Sequence, residues 1–123
     1  MITKLIIVFG GAGIGGVLRY WLSAVIQKHF PPYFPYGTLF VNILGSFLLG
    51  FLIFGLDEKE LVNSSLKLFL GIGICGGFTT FSTFSLETFY LLRNAEFLLA
   101  SLNIILSVVA SILGVYLVYL ITR

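Results

Sequence analysis

Hydrophobic positions in this chain fall into four long runs, with polar or proline-rich residues gathered in the short stretches between them. The runs cover about Lys4–Lys28, Gly37–Leu56, Ser64–Leu92 and Phe97–Ile121. A helix of about 20 apolar residues crosses a ~30 Å hydrocarbon core. The pattern therefore predicts an all-α membrane protein, a single domain over residues 1–123 with four transmembrane helices. HFPPYFPY, His29 to Tyr36, predicts a turn with aromatic rings at the membrane interface. DEKELVN, Asp57 to Asn63, is the most polar connection, and Asn63 or Ser64 can cap the helix after it. Arg93–Glu96 joins the last two helices. The first run exceeds the roughly 7–15 apolar residues of a signal-peptide core, and a second run follows closely, so it is read as a retained span.

The third run breaks the pattern. As one straight helix it would reach roughly 43 Å, well past the hydrocarbon core. Within it lies GGFTTFSTFSLE, Gly76 to Glu87, with a glycine pair, five hydroxyl side chains and an acid. Glycine weakens a helix, and β-branched threonine stiffens it unfavourably. A helix broken in its middle, near Gly76 to Thr80, is the expectation. Interrupted backbone at membrane depth survives only where protein or a watery path satisfies it, which makes this stretch the candidate seat of function.

Polar residues inside the other runs are spaced by helical turns. Thr38, Asn42 and Ser46 form one stripe, and Asn103, Ser107 and Ser111 another. The Asn42 amide offers two N–H donors, either to a moving anion or to an interhelical hydrogen bond that only holds the bundle together. Hydroxyls on the last helix can replace water around an anion or bond back to their own helix. Phe81 and Phe84 share a face, and are either core and lipid contacts or rings that meet an anion edge-on. A ring edge is partially positive, so it attracts a small anion without the grip of a full charge. Favourable capture with easy release is what conduction requires. Carbonyls freed near Gly76 and Thr79 would suit a hard monovalent cation.

The first run holds Gly11, Gly13 and Gly16 at dinucleotide-fold spacing. That reading is rejected, because no acid follows until Asp57 and the chain stays apolar throughout. Gly11 with Gly15, and Ala12 with Gly16, instead make small-residue faces that let membrane helices approach closely. Arg19 is either a vestibule charge that draws anions or a structural residue, snorkelling or paired with Glu87.

Composition supports the membrane reading, at 59% hydrophobic and 10% charged residues with a mean hydropathy of +1.10. The net charge of +2 is too small to suggest a nucleic-acid partner. Cys75, the one cysteine, reads as a small packing residue, and no cluster of metal-ligating side chains is present. Lys4, Lys59, Lys67 and Arg123 lie on one side of the membrane and Lys28 and Arg93 on the other. So weak a bias is compatible with insertion in both orientations and pairing about a two-fold axis in the membrane plane. A single orientation with cytoplasmic termini remains open on charge alone.

GGAGIGGVLRY, GTLFVNILGSFLLG and above all GGFTTFSTFSLE resemble the Fluc or CrcB family of small bacterial fluoride channels, over essentially the whole chain. The resemblance implies a dual-topology antiparallel homodimer in the bacterial plasma membrane, the inner membrane if Gram-negative. It implies two pores that export toxic cytoplasmic fluoride passively down its gradient, and no enzymatic activity. Phe81, Phe84 and Asn42 would line each pore, with hydroxyls from Ser82, Thr83, Ser107 and Ser111. A structural sodium ion (Na+) would sit at the dimer axis on the main-chain carbonyls of Gly76 and Thr79. Arg19 and Glu87 match the family's first-helix arginine and third-helix acid, while Asn103 is the least secure match. The rival readings are a proton-coupled small multidrug transporter and a non-conducting membrane subunit. The first requires an acid in the first helix, and Lys4–Lys28 has none.

Overall fold

The computed structural model describes residues 1–123. It is all-helical, with four helices long and apolar enough to cross a membrane: Ile2–Lys28, Tyr36–Asp57, Ser64–Arg93 and Phe97–Thr122. The first is α1 (Ile2–Lys28). The second comprises α2 (Tyr36–Gly50) and a π-helical continuation, Phe51–Asp57. In the third, Ser64–Lys67 is α-helical, Leu68–Cys75 is π-helical and Gly76–Phe78 is α-helical again. Residues 64–78 are called α3 here, and Phe81–Arg93 is α4. The last helix, α5, is Phe97–Thr122. Neither π-helical stretch was expected, because hydropathy periodicity does not distinguish a wide turn from an ordinary one.

Between α3 and α4 two residues leave helical geometry. Thr79 (φ −101°, ψ 160°) and Thr80 (φ −151°, ψ 123°) are extended. Helix resumes at Phe81, with the Thr80 hydroxyl accepting the Thr83 N–H at 3.2 Å as an N-cap. The start of α3 is capped by Asn63, whose side-chain oxygen accepts the Leu66 N–H at 2.8 Å.

Two seams organise the bundle. In the first, α1 lies along α3. The only buried residues of α1 are Gly11 and Gly15, and opposite them stand Gly73 and Gly77. The approach is backbone to backbone: a Cβ on Gly15 would strike the Ile74 carbonyl, and one on Gly77 would come 3.0 Å from Ala12 Cα. Membrane helices gain dispersion contact this way, since lipid gives them no hydrophobic reason to associate. In the second seam α2 lies along α5. Ala100, Asn103, Ser107, Gly114 and Val118 are the buried residues of α5, recurring at three-, four- and seven-residue intervals along one face.

The loop before α2 is held by one residue that the sequence did not single out. Gln27 donates to the carbonyls of Pro31 (3.3 Å) and Phe34 (3.0 Å), and its side-chain oxygen accepts the Gly37 N–H at 3.1 Å. Phe30 stacks on Tyr36 with centroids 4.8 Å apart. Elsewhere the outer surface is strongly apolar: Phe9 is 81% exposed, Leu98 73% and Ile112 63%. Large apolar side chains on the outside and glycines within are what a bilayer solvent selects, and the chain is a multi-pass membrane protein.

Candidate functional site

The site is built around Thr79 and Thr80. Extended backbone there removes the ordinary i+4 partners, and side chains from other helices replace them. Asn42 on α2 makes two hydrogen bonds to a single residue: its Nδ2–H donates to the Thr80 carbonyl at 3.0 Å, and its Oδ1 accepts the Thr80 N–H at 2.7 Å. An amide side chain imitates a peptide group, so it pairs with extended backbone much as a neighbouring strand would. One Nδ2–H of Asn42 is spent in this way, and the other carries no hydrogen bond.

Three carbonyls, those of Gly76, Phe78 and Thr79, are left without their ordinary helical donors. The N–H of Thr80, which would serve the Gly76 carbonyl in a continuous helix, goes to Asn42. The N–H of Thr83, which would serve Thr79, goes to the Thr80 hydroxyl. Gly77 is treated differently, because Arg19 Nε donates to its carbonyl at 3.0 Å. Thr79 closes the end of α3 by donating both its N–H and its hydroxyl to the Cys75 carbonyl, each at 3.1 Å.

A cleft of about 320 Å³ opens beside this region. Asn42, Phe81, Phe84, Ser107 and Ser111 border it, as do Gly76 and Thr79. No Asp, Glu, Lys, Arg or His is among its lining residues. Phe81 and Phe84 are neighbours there, with ring centroids 5.6 Å apart and planes at 44°. Phe84 is half-buried, whereas Phe81 is 79% exposed in the single chain. Ser82 and Thr83 are not among the lining residues, and their hydroxyls each lie 3.2 Å from the Thr80 hydroxyl. Ser46, on the α2 stripe but not among the expected pore residues, does border the cleft.

The two charges of the third and first spans are not partners. Arg19 and Glu87 form no ion pair, the single salt bridge being Lys67–Asp57 at 3.0 Å. The glycine seam sets Arg19, one turn past Gly15, against the end of α3, where a cation meets the negative pole of a helix dipole. Glu87 lies farther along, on α4 beside Thr38, with Oε1 buried and without a hydrogen-bond partner. It borders a separate cleft of about 430 Å³ with Gln27 and Tyr90. The α2 stripe therefore meets three different surroundings: Thr38 at Glu87, Asn42 at Thr80 and Ser46 at the cleft.

The α5 stripe also divides. Ser107 and Ser111 border the cleft and Asn103 does not. Asn103 is 1% exposed and donates to the hydroxyl of Thr88 on α4 at 2.9 Å. Thr88 was not singled out from sequence, since a threonine donating to its own helix backbone looks like any other in a membrane span.

Comparison with known proteins gives a consistent picture. The family model described as "CrcB-like protein, Camphor Resistance (CrcB)" matches residues 6–119. The protein named fluoride-specific ion channel FluC from Pyrococcus furiosus is 48% identical over 126 residues, covering 99% of this chain and 98% of that relative. The protein of the same name from Pyrococcus abyssi is 44% identical, covering 98% and 96%. That from Methylocella silvestris is also 44% identical, covering 87% and 83%.

Proposed function

The chain belongs to the CrcB family, and from that membership we propose that it is a fluoride-selective channel that lets cytoplasmic fluoride leave a bacterial cell through its plasma membrane. It is a channel and not an enzyme. The observation that carries this reading is the uncharged cleft in which an amide, three serine hydroxyls and two phenyl rings converge. Donors without a formal charge can replace a halide's hydration shell and still release the ion. The unspent Nδ2–H of Asn42 is the donor best placed to do so, because its other hydrogen bonds hold the residue rigidly. A membrane potential negative inside favours fluoride exit by about 2.3 kcal/mol per charge per 100 mV.

The functional unit is an antiparallel pair of chains. Phe81 is too exposed, and the cleft too open, for one chain to enclose an ion path. The weak charge bias allows the second copy the opposite orientation. The third membrane span is then a broken helix whose purpose lies in the carbonyls it frees. Those of Gly76 and Thr79, deprived of their usual donors, are hard oxygen ligands suited to sodium, and no cluster of His, Cys, Asp or Glu competes for that role. Sodium there would neutralise the exposed carbonyl dipoles and hold the dimer centre. Ser82 and Thr83 act through Thr80 in this scheme, while Arg19 serves the end of α3 and Glu87 the second cleft.

The reading is tested by loading liposomes that contain the purified protein with potassium fluoride and following efflux with a fluoride electrode. Rapid fluoride efflux, without matching chloride efflux and without dependence on a proton gradient, is expected. Absence of fluoride flux from an assembled preparation would refute it. Repeated with a sodium salt present on both sides, and again with that sodium replaced by a larger organic cation, the assay should show lower flux in the second case, and unchanged flux would remove the cation from the scheme.

A further inference from the structure

We infer that Thr88 and Asn103 are positioning residues for the pore: a buried hydrogen-bond relay that fixes the Phe84 turn of α4 against the serine face of α5. The inference rests on the reading of Phe84 as a pore residue. Four groups make the relay. The Thr88 hydroxyl donates to the Phe84 carbonyl at 2.7 Å. Its oxygen in turn accepts the Asn103 Nδ2–H at 2.9 Å. Ser107, one turn farther along α5, donates to Asn103 Oδ1 at 3.4 Å. Thr88 is 7% exposed, Asn103 1% and Ser107 8%.

The two ends of this relay belong to residues that border the cleft, Phe84 and Ser107, and its middle members do not. The Thr88–Asn103 bond is also the only side-chain hydrogen bond linking α4 to α5. Among apolar neighbours a polar pair has one good arrangement, because each alternative leaves a donor or acceptor unsatisfied. A purely apolar contact of the same size would permit sliding by a fraction of a turn. Polar groups here therefore specify the register of α4 on α5, and with it the height of the Phe84 ring relative to Ser107 and Ser111. The Ser107 bond is the longest in the relay and the weakest, so its proton is the one an anion in the cleft can most readily claim. Asn103 thus acts from behind the pore wall rather than as part of it.

The test uses the reconstituted, full-length protein. Thr88→Val removes the hydroxyl while nearly preserving shape, Thr88→Ser restores it, and Asn103→Leu cuts the relay from the other side. Each variant is purified and checked for assembly by gel filtration, then assayed for fluoride flux and for the fluoride-to-chloride flux ratio. Thr88→Val and Asn103→Leu are expected to assemble and to lose roughly threefold to tenfold of fluoride flux, the range for one buried hydrogen bond. Both should also narrow the fluoride-to-chloride ratio. Thr88→Ser should recover most of both losses, and the double variant should be no worse than the poorer single one. An assembled Thr88→Val that conducts and discriminates as the unaltered channel does would overturn the inference. So would additive losses in the double variant, or Thr88→Ser performing no better than Thr88→Val. Loss of assembly in both Thr88→Val and Asn103→Leu would overturn it as well, since the relay would then hold the fold rather than the pore. If the unaltered protein carries no fluoride, the channel reading itself has failed, a result distinct from all of these.

Discussion

The two halves of the third membrane span are held by opposite means. Residues 64–78 are pressed against α1 through facing glycines, with almost no side chain between the two backbones. Residues 80–93 touch their neighbours more sparsely and are anchored by individual polar contacts, Asn42 to Thr80 and Asn103 to Thr88. The first arrangement cannot yield, because backbone cannot rotate out of the way. The second leaves rings and hydroxyls on a face still open in the single chain. A rigid wall paired with an adjustable one suits a passage that must keep its width while its lining trades contacts with an ion.

The most forceful way to break this contrast is to insert a side chain into the glycine seam. Gly15→Leu would drive carbon into the Ile74 carbonyl and should cost about 3 kcal/mol or more, the upper part of the overpacking range. Loss of a single assembled peak in gel filtration is the expected result, and a variant that assembles normally would show that the seam can give. Asn42→Ala attacks the other half. It leaves the N–H and the carbonyl of Thr80 without partners, at about 1–3 kcal/mol for each group that water cannot reach. Melting temperature should fall and fluoride flux should be nearly abolished. Asn42→Asp keeps the acceptor for the Thr80 N–H but loses the donor, so it should recover stability in part and flux hardly at all.

Phe81→Ile and Phe84→Ile sharpen the comparison further. Each should leave assembly intact and reduce fluoride flux about tenfold, the scale of an aromatic contact worth ~1.4 kcal/mol. Unchanged flux in both would take the rings out of the mechanism. The smallest effect is expected at the far end of the rigid half. Asn63→Ala removes the cap at the start of α3 and should lower stability by about 1 kcal/mol without altering flux. An equal fall in flux would mean that the two halves are more tightly coupled than their packing implies.

Much of this architecture was legible beforehand, and the reason is the bilayer. Membrane spans must be long and apolar, so hydropathy alone located four helices and the turns between them. The small-residue face at Gly11 and Gly15 was equally plain, since only close packing explains paired glycines at that spacing. Partners were another matter. Spacing told that Asn42 shares a stripe with Thr38 and Ser46, but not that it would grasp the Thr80 backbone. Spacing left open whether Arg19 draws anions, snorkels or pairs with Glu87, and the structure gives its Nε–H the Gly77 carbonyl. Asn103 sat on the same helical face as Ser107 and Ser111, and nothing in its position separated a residue away from the cleft from those that border it. One-dimensional spacing fixes which face a residue occupies, and only the crossing of helices decides what that face meets.

The π-helical stretch Leu68–Cys75 carries one seam glycine, Gly73, and lies just before the other, Gly77. A wider turn changes the angular phase of everything downstream, so the direction of Gly76 and Gly77 depends on the residues of this stretch. Deleting one residue between Leu68 and Ile72 would let the helix relax to its commoner pitch and swing the Gly77 carbonyl out of reach of the guanidinium. The chain's reading frame in space, like its reading frame in the gene, is set upstream of the message it delivers.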